Sequence, residues 1–161
     1  MPEKFLRRYT TLPSLIYTLS EKRLTLLDPQ SWDDKNDSYY LQLYKEKKKR
    51  QCVLALCFSL SNETYHHWSV FAEGAAGVCI QFDRKRLTAA FKAQPGVRTG
   101  RVKYLLLPEI RKRGLKIAEL PFCKRHAYQH ETSSVLSTNP RPPRQRRSTF
   151  PFPYRASPGS P

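Results

Sequence analysis

Residues 52–58, Cys52-Val53-Leu54-Ala55-Leu56-Cys57-Phe58, run apolar without a polar interruption. A half-buried strand would alternate apolar and polar side chains, so this run reads as a strand covered on both faces, the spine of a sheet. Working toward the N-terminus, Phe5 to Tyr9 reads as a first strand. Thr11 then offers an N-cap oxygen ahead of Pro13, which a first helical turn tolerates because its missing N–H would be unpaired there anyway. Leu12, Leu15, Ile16 and Leu19 recur at helical spacing and form one apolar stripe. Leu24 to Leu27 suit a second strand, broken by Asp28-Pro29. A loop over 30–37 precedes a helix over 38–50 that ends in the basic run Lys45 to Arg50. On the C-terminal side, Asn62 is the expected cap of a helix carrying Tyr65, Trp68 and Ala72, followed by Gly74 to Gly77. Strands are expected over 78–82 and 100–106, with a short helix over 84–93 between them. A helix-and-loop over 108–121 follows, and a last strand begins near Phe122. Without a strict strand-helix-strand repeat, the pattern gives an α+β domain with a compact mixed or antiparallel sheet and short flanking helices.

The chain has 161 residues and a formal charge of +16. Residues 132–161 hold 5 Arg, no acid and 7 of the 13 Pro, which leaves the first 131 at +11. This shift in composition sets the expected division: one domain over 1–131, C-terminally incomplete, and a disordered Pro/Arg/Ser-rich tail over 132–161. No apolar run approaches the roughly 18 residues of a membrane span, and the first 20 lack a signal-peptide layout. The reading is therefore a cytoplasmic protein without a membrane partner. Cys52, Cys57, Cys79 and Cys123 have no CxxC spacing, so they read as buried reduced thiols rather than disulfides or a zinc ribbon.

The basic surplus is one candidate signal. Lys45 to Arg50, Arg84 to Arg86, Arg111 to Arg113 and Lys124-Arg125 could neutralise phosphates, with Lys47, Lys48, Lys49 and Arg50 the densest run. No aromatic reading motif accompanies them, and a solvated face explains each run as well. The acidic residues Asp28, Asp33, Asp34 and Asp37 lack the Gly and the twelfth-position Glu of a calcium loop, so turn and cap roles are assigned and no metal. His66 and His67 point about 100 degrees apart on a helix, so only one can enter a site. They read as a partly exposed pair beside Trp68, and Cys79 has no neighbouring base in its strand.

The order of motifs resembles the bacterial family called domain of unknown function 2971. Its features run from an Arg/Lys-Tyr strand through a Phe-Asn-Asp-Pro loop, Cys-Phe-Ser and Trp-Ser-x-Tyr to Gly-Val-Cys-Ile-x-Phe. The counterparts are Arg8-Tyr9, Trp32-Asp33-Asp34-Lys35, Cys57-Phe58-Ser59, Trp68-Ser69-Val70-Phe71 and Gly77 to Phe82. Trp32, Asp34, Trp68, Gly77 and Phe82 carry the likeness; Asp33, Lys35 and Phe71 depart from it. The family closes on a Lys, an aromatic and Glu-x-Glu-x-Arg, and Lys124, Tyr128 and Glu131 look like its beginning. One allowed back-translation of residues 132–139, moved by one base, reads Glu-Phe-Arg-Val-Ile-Tyr-Glu, so a frameshift near codon 132 is expected to have replaced the late strand.

Arg on the first strand, Ser-x-Ser on a central strand and Glu-x-Glu on a late one is also the order of one class of ADP-ribosyltransferases. That similarity implies NAD as cofactor, Arg8, Ser59 and Glu131 in catalysis, and Arg8, Tyr9 and Ser61 in cofactor binding. Arg would pair with the dinucleotide phosphates, Ser would position the nicotinamide side, and a carboxylate would stabilise an oxocarbenium-like centre. It implies an enzyme of phage-defence or toxin type, inactive in this form because the second Glu is missing. The alternative is a basic nucleic-acid-associated module without catalysis.

Overall fold

The computed structural model describes residues 4–32, 35–72, 76–106, 108, 114–125, 133–138 and 148–151. In chain order these form β1 (Phe5–Thr11), α1 (Leu12–Glu21), β2 (Arg23–Leu26), a 3-10 turn (Pro29–Ser31), α2 (Lys35–Lys47) and β3 (Leu54–Ser59). There follow α3 (Tyr65–Phe71), β4 (Gly77–Asp83), α4 (Arg84–Lys92), β5 (Val97–Arg101), β6 (Lys103–Leu105), a 3-10 segment (Ile117–Phe122), β7 (Cys123–Arg125), β8 (Ser133–Thr138) and β9 (Ser148–Pro151). The main sheet has the order β4-β1-β3-β8-β5 and every pairing in it is antiparallel. Two small ladders, antiparallel β2–β9 and parallel β6–β7, complete an α+β fold.

The apolar run 52–58 supplies the middle strand, β3, and both of its faces are covered. Leu54, Leu56 and Phe58 enter one core with Leu6, Leu24, Leu26, Phe82, Leu87 and Phe91. Val53, Ala55 and Cys57 enter a second with Leu41, Tyr44, Val102, Leu120 and Phe122. The side-chain period of two in a strand divides consecutive apolar residues between the two cores.

Local chemistry fixes the joints. Thr11 caps α1 by accepting from the Ser14 N–H, and Asp83 caps α4 by accepting from the Arg86 N–H at 2.9 Å. The cap of α3 is Thr64, two residues later than the sequence suggested at Asn62. Helix α2 begins at Lys35 rather than Ser38 and closes in a Schellman turn. There the Arg50 N–H reaches the Lys45 carbonyl and the Lys49 N–H that of Glu46, with Lys49 at φ 49°. Gly77 starts β4 where a Cβ would overlap the side chain and carbonyl of Ala72, so only glycine fits.

Three expectations are corrected. The division at residue 132 does not hold for 133–138 and 148–151, because β8 pairs with β3 along six positions and with β5 along five, while β9 pairs with β2. Serine content made this stretch look unstructured, but Val135, Leu136 and Thr138 suit a strand, and two strands with unpaired backbone groups flank the slot. The apolar stripe of α1 faces outward: Leu12, Ile16 and Leu19 are each about half exposed, and Thr18 is the buried residue. Lys124 belongs to no basic face, being buried on β7 in an ion pair with buried Asp37 of α2 at 2.7 Å.

Removing one partner of a buried ion pair leaves the other charge uncompensated, at a cost of about 3–5 kcal/mol. Lys124→Met is therefore expected to lower unfolding free energy by that amount in a denaturant titration, and a change below about 1 kcal/mol would show the pair to be dispensable. Lys22 and Lys49 hold left-handed backbone at φ 51° and 49°. Replacing each with Gly relieves a strain of roughly 1 kcal/mol, so both variants should melt at higher temperature than the parent chain.

Candidate functional site

Among the described residues a polar cluster forms where β3 leaves the sheet. Ser59 ends the strand and Ser61 follows beyond buried Leu60, so the two hydroxyls flank an apolar anchor and meet at 2.8 Å. The chain then turns through exposed Asn62 and Glu63 to Thr64, whose extended backbone (φ −134°, ψ 155°) and hydroxyl cap α3. That cap sets the rotation of the helix and sends His67 inward, where it is 1% exposed. Its Nδ1 lies 2.9 Å from Thr64 Oγ1, and its Nε2 lies 3.3 Å from Ser59 Oγ and 3.5 Å from Ser61 Oγ. The imidazole is thus held by a hydroxyl on one side and faces a pair of hydroxyls on the other.

Strand β1 supplies the wall of this cluster. Tyr9 stacks on His67 with centroids 4.9 Å apart and planes 12° apart, and meets Trp68 edge-on at 5.3 Å. Trp68 in turn donates its indole N–H to Glu63 at 2.7 Å. Burial, reinforced by the Cys79 and Glu63 charges, pushes the Tyr9 phenol up to about 12, so it stays neutral. Among the described residues no partner meets its buried hydroxyl at good hydrogen-bond geometry, and the Cys79 thiol beside it is a weak one. Arg7 donates to the Ser61 carbonyl at 2.9 Å, pinning the turn to β1. Arg7 is the register partner of Ser59 and of Gln81, so β1, β3 and β4 meet here.

Tyr9, Ser59, Ser61 and Trp68 of the sequence candidates therefore come together, and Arg8 does not join them. Strand alternation places Arg8 with Leu6 on the opposite face from Arg7 and Tyr9. Burial there lowers the Arg8 guanidinium to about 10, partly offset by the charge of Cys57. The arginine at the cluster is Arg7, its neighbour in sequence. Glu131, Asp33 and Asp34 lie outside the described residues, as do Arg111 to Arg113. Phe82 is a core residue, edge-on to Phe58 at 5.8 Å, and Trp32 packs against the second core. Lys47, Lys48, Lys49 and Arg50 are all exposed around the end of α2. His66 and His67 are not the partly exposed pair expected: His66 is exposed and His67 is buried. The available signal for His67 was its place three residues after a capping Thr, which fixes which way a first-turn side chain points.

Among the described residues no group of three or more His, Cys, Asp and Glu side chains could hold a metal, and no helix is long and apolar enough to cross a membrane. No known protein family, curated protein or solved structure matches the chain, so its own geometry carries the functional reading.

Burial raises the Cys79 thiol above its ordinary value, with Tyr9 and Arg7 opposing and Glu63 reinforcing, and Cys52 is raised by burial and by Asp28. Only the thiolate is nucleophilic. Alkylation of both by iodoacetamide at pH 7 should run slower than that of free cysteine and accelerate as pH rises past 9; rapid modification at pH 7, read by mass spectrometry, would contradict this.

Proposed function

We propose that the chain is an NAD-using, ADP-ribosyltransferase-like domain of phage-defence or toxin type, related to the bacterial family whose motif order it follows. The observation that carries this reading is the adjacency of β1, β3 and β8 in one sheet, with Ser133 the register partner of Ser59. The three elements that must supply an arginine, a Ser-x-Ser and a late carboxylate are neighbours, and they occur in the order the chemistry uses. Arg7 takes the role first assigned to Arg8, because its guanidinium already reaches the Ser61 carbonyl. In this reading it pairs with the dinucleotide phosphates while Ser61 positions the nicotinamide side. Residues 132–138 contain no acid, and the second Glu of a Glu-x-Glu counted from Glu131 would stand at Ser133. The chain as it stands is therefore expected to bind NAD without turning it over, lacking the carboxylate that stabilises an oxocarbenium-like centre.

A second reading rests on the exposure of Lys47 to Arg50 at one helix end, a basic patch for nucleic-acid phosphates in a cytoplasmic protein. Its mark would be duplex binding that falls steeply between low and physiological salt.

The first reading is tested with labelled NAD. Binding by the parent chain, loss of that binding in Arg7→Ala, and release of nicotinamide above background in Ser133→Glu are expected. If neither the parent nor Ser133→Glu binds or consumes NAD, the reading falls.

A further inference from the structure

We infer that Ser61 is a nucleophile served by His67, and that the cluster accepts small acyl or aryl esters. The inference does not rest on the NAD reading. A working serine nucleophile needs a base within hydrogen-bond reach and a third group that orients the base. Both are present. Thr64 Oγ1, 2.9 Å from Nδ1, accepts the proton assigned to that nitrogen and leaves the Nε2 lone pair toward the two serines. Its second lone pair serves the His67 backbone N–H at 3.3 Å, so the cap and the orienting bond are one atom. The flat Tyr9 ring against the imidazole holds its plane.

The two hydroxyls divide the work by burial. Ser59, only 6% exposed, is too enclosed to meet an electrophile, whereas Ser61 is half-buried on the turn. Ser61 also lies farther from Nε2, at 3.5 Å, but only 2.8 Å from Ser59. Proton transfer therefore runs through Ser59: as Ser61 Oγ bonds to the carbonyl carbon, its proton passes to Ser59 Oγ, and Ser59 gives its own to His67 Nε2. The proton leaves with the departing alcohol. Water, deprotonated through the same chain, then attacks the acyl-serine and releases the carboxylic acid, restoring Ser61. Half-buried Trp68 and exposed Phe71, which lies 6.4 Å from the His67 ring, give the ester an aromatic surface and favour aryl or short acyl groups.

The test is covalent labelling of the whole chain with a fluorophosphonate, in which an Oγ–P bond forms and fluoride leaves, mapped by mass spectrometry and followed by release of p-nitrophenol from its acetate ester. Ser61 should be the labelled residue, and Ser61→Ala should remove both label and ester hydrolysis. Loss of the base is expected to slow labelling roughly 100-fold in His67→Gln. Thr64→Val keeps the histidine but removes its orienting oxygen and should also slow labelling. Because burial at His67 can make its replacement unfold, each variant is checked for a cooperative melt, and Thr64→Val decides if His67→Gln fails it. Absence of label on Ser61 in the parent chain, or parent-like labelling in folded Thr64→Val, overturns the inference. Ser61 labelling in a chain that ignores NAD would sustain it while the NAD reading fell.

Discussion

A strand covered on both faces has no water beside it, so its backbone N–H and C=O groups must find partners along the sheet. That constraint on β3 organises the molecule. On one edge it is met by β1, joined at Arg7 and Ser59, and on the other by β8 over the full length Leu54 to Ser59. The alternating side chains of the same strand divide the interior into two cores, and α4 and α2 contribute to one each through Phe91 and Tyr44. Where β3 finally leaves the sheet, Ser59 is buried and Ser61, just beyond, is half-buried. Ser59 and Ser61 turn to His67, and the candidate site is the place where the buried strand ends.

Much of this frame was legible in residue order. The apolar run 52–58 identified the central strand because no polar residue interrupts it, and Thr11 identified the first helix start because its hydroxyl has a donor waiting at Ser14. The readings that failed did so where a three-dimensional neighbour outweighed a local preference. Leu12, Ile16 and Leu19 share a face, yet periodicity does not say which way that face turns. The serines of 133–138 read as irregular chain, but a slot between two strands imposes extended backbone on them. Arg7 and Arg8 differ by one position, and in a strand one position is the difference between opposite faces. Such parity is set by register with Ser59 and Gln81, which composition does not contain.

The site also separates two histidines that residue order alone does not distinguish. His66 and His67 have the same chemistry and neighbouring addresses, but the Thr64 cap fixes helical phase, and phase sends one outward and one under Tyr9. A single hydroxyl therefore does two things: it starts α3, and it aims the imidazole at the Ser59–Ser61 pair. Local helix chemistry and site geometry meet at one oxygen atom.

The position of β8 has a consequence for synthesis. Its partners β3 and β5 emerge from the ribosome dozens of residues earlier, and among the described strands β5 pairs with β8 alone, so β5 joins the sheet only once β8 has been made. Until then β3 presents an open apolar ladder that another nascent chain can extend, and closure depends on contacts distant in sequence, which form slowly. The interval between translating Arg101 and Thr138 is therefore the period when this protein is most prone to self-association and would gain most from a chaperone.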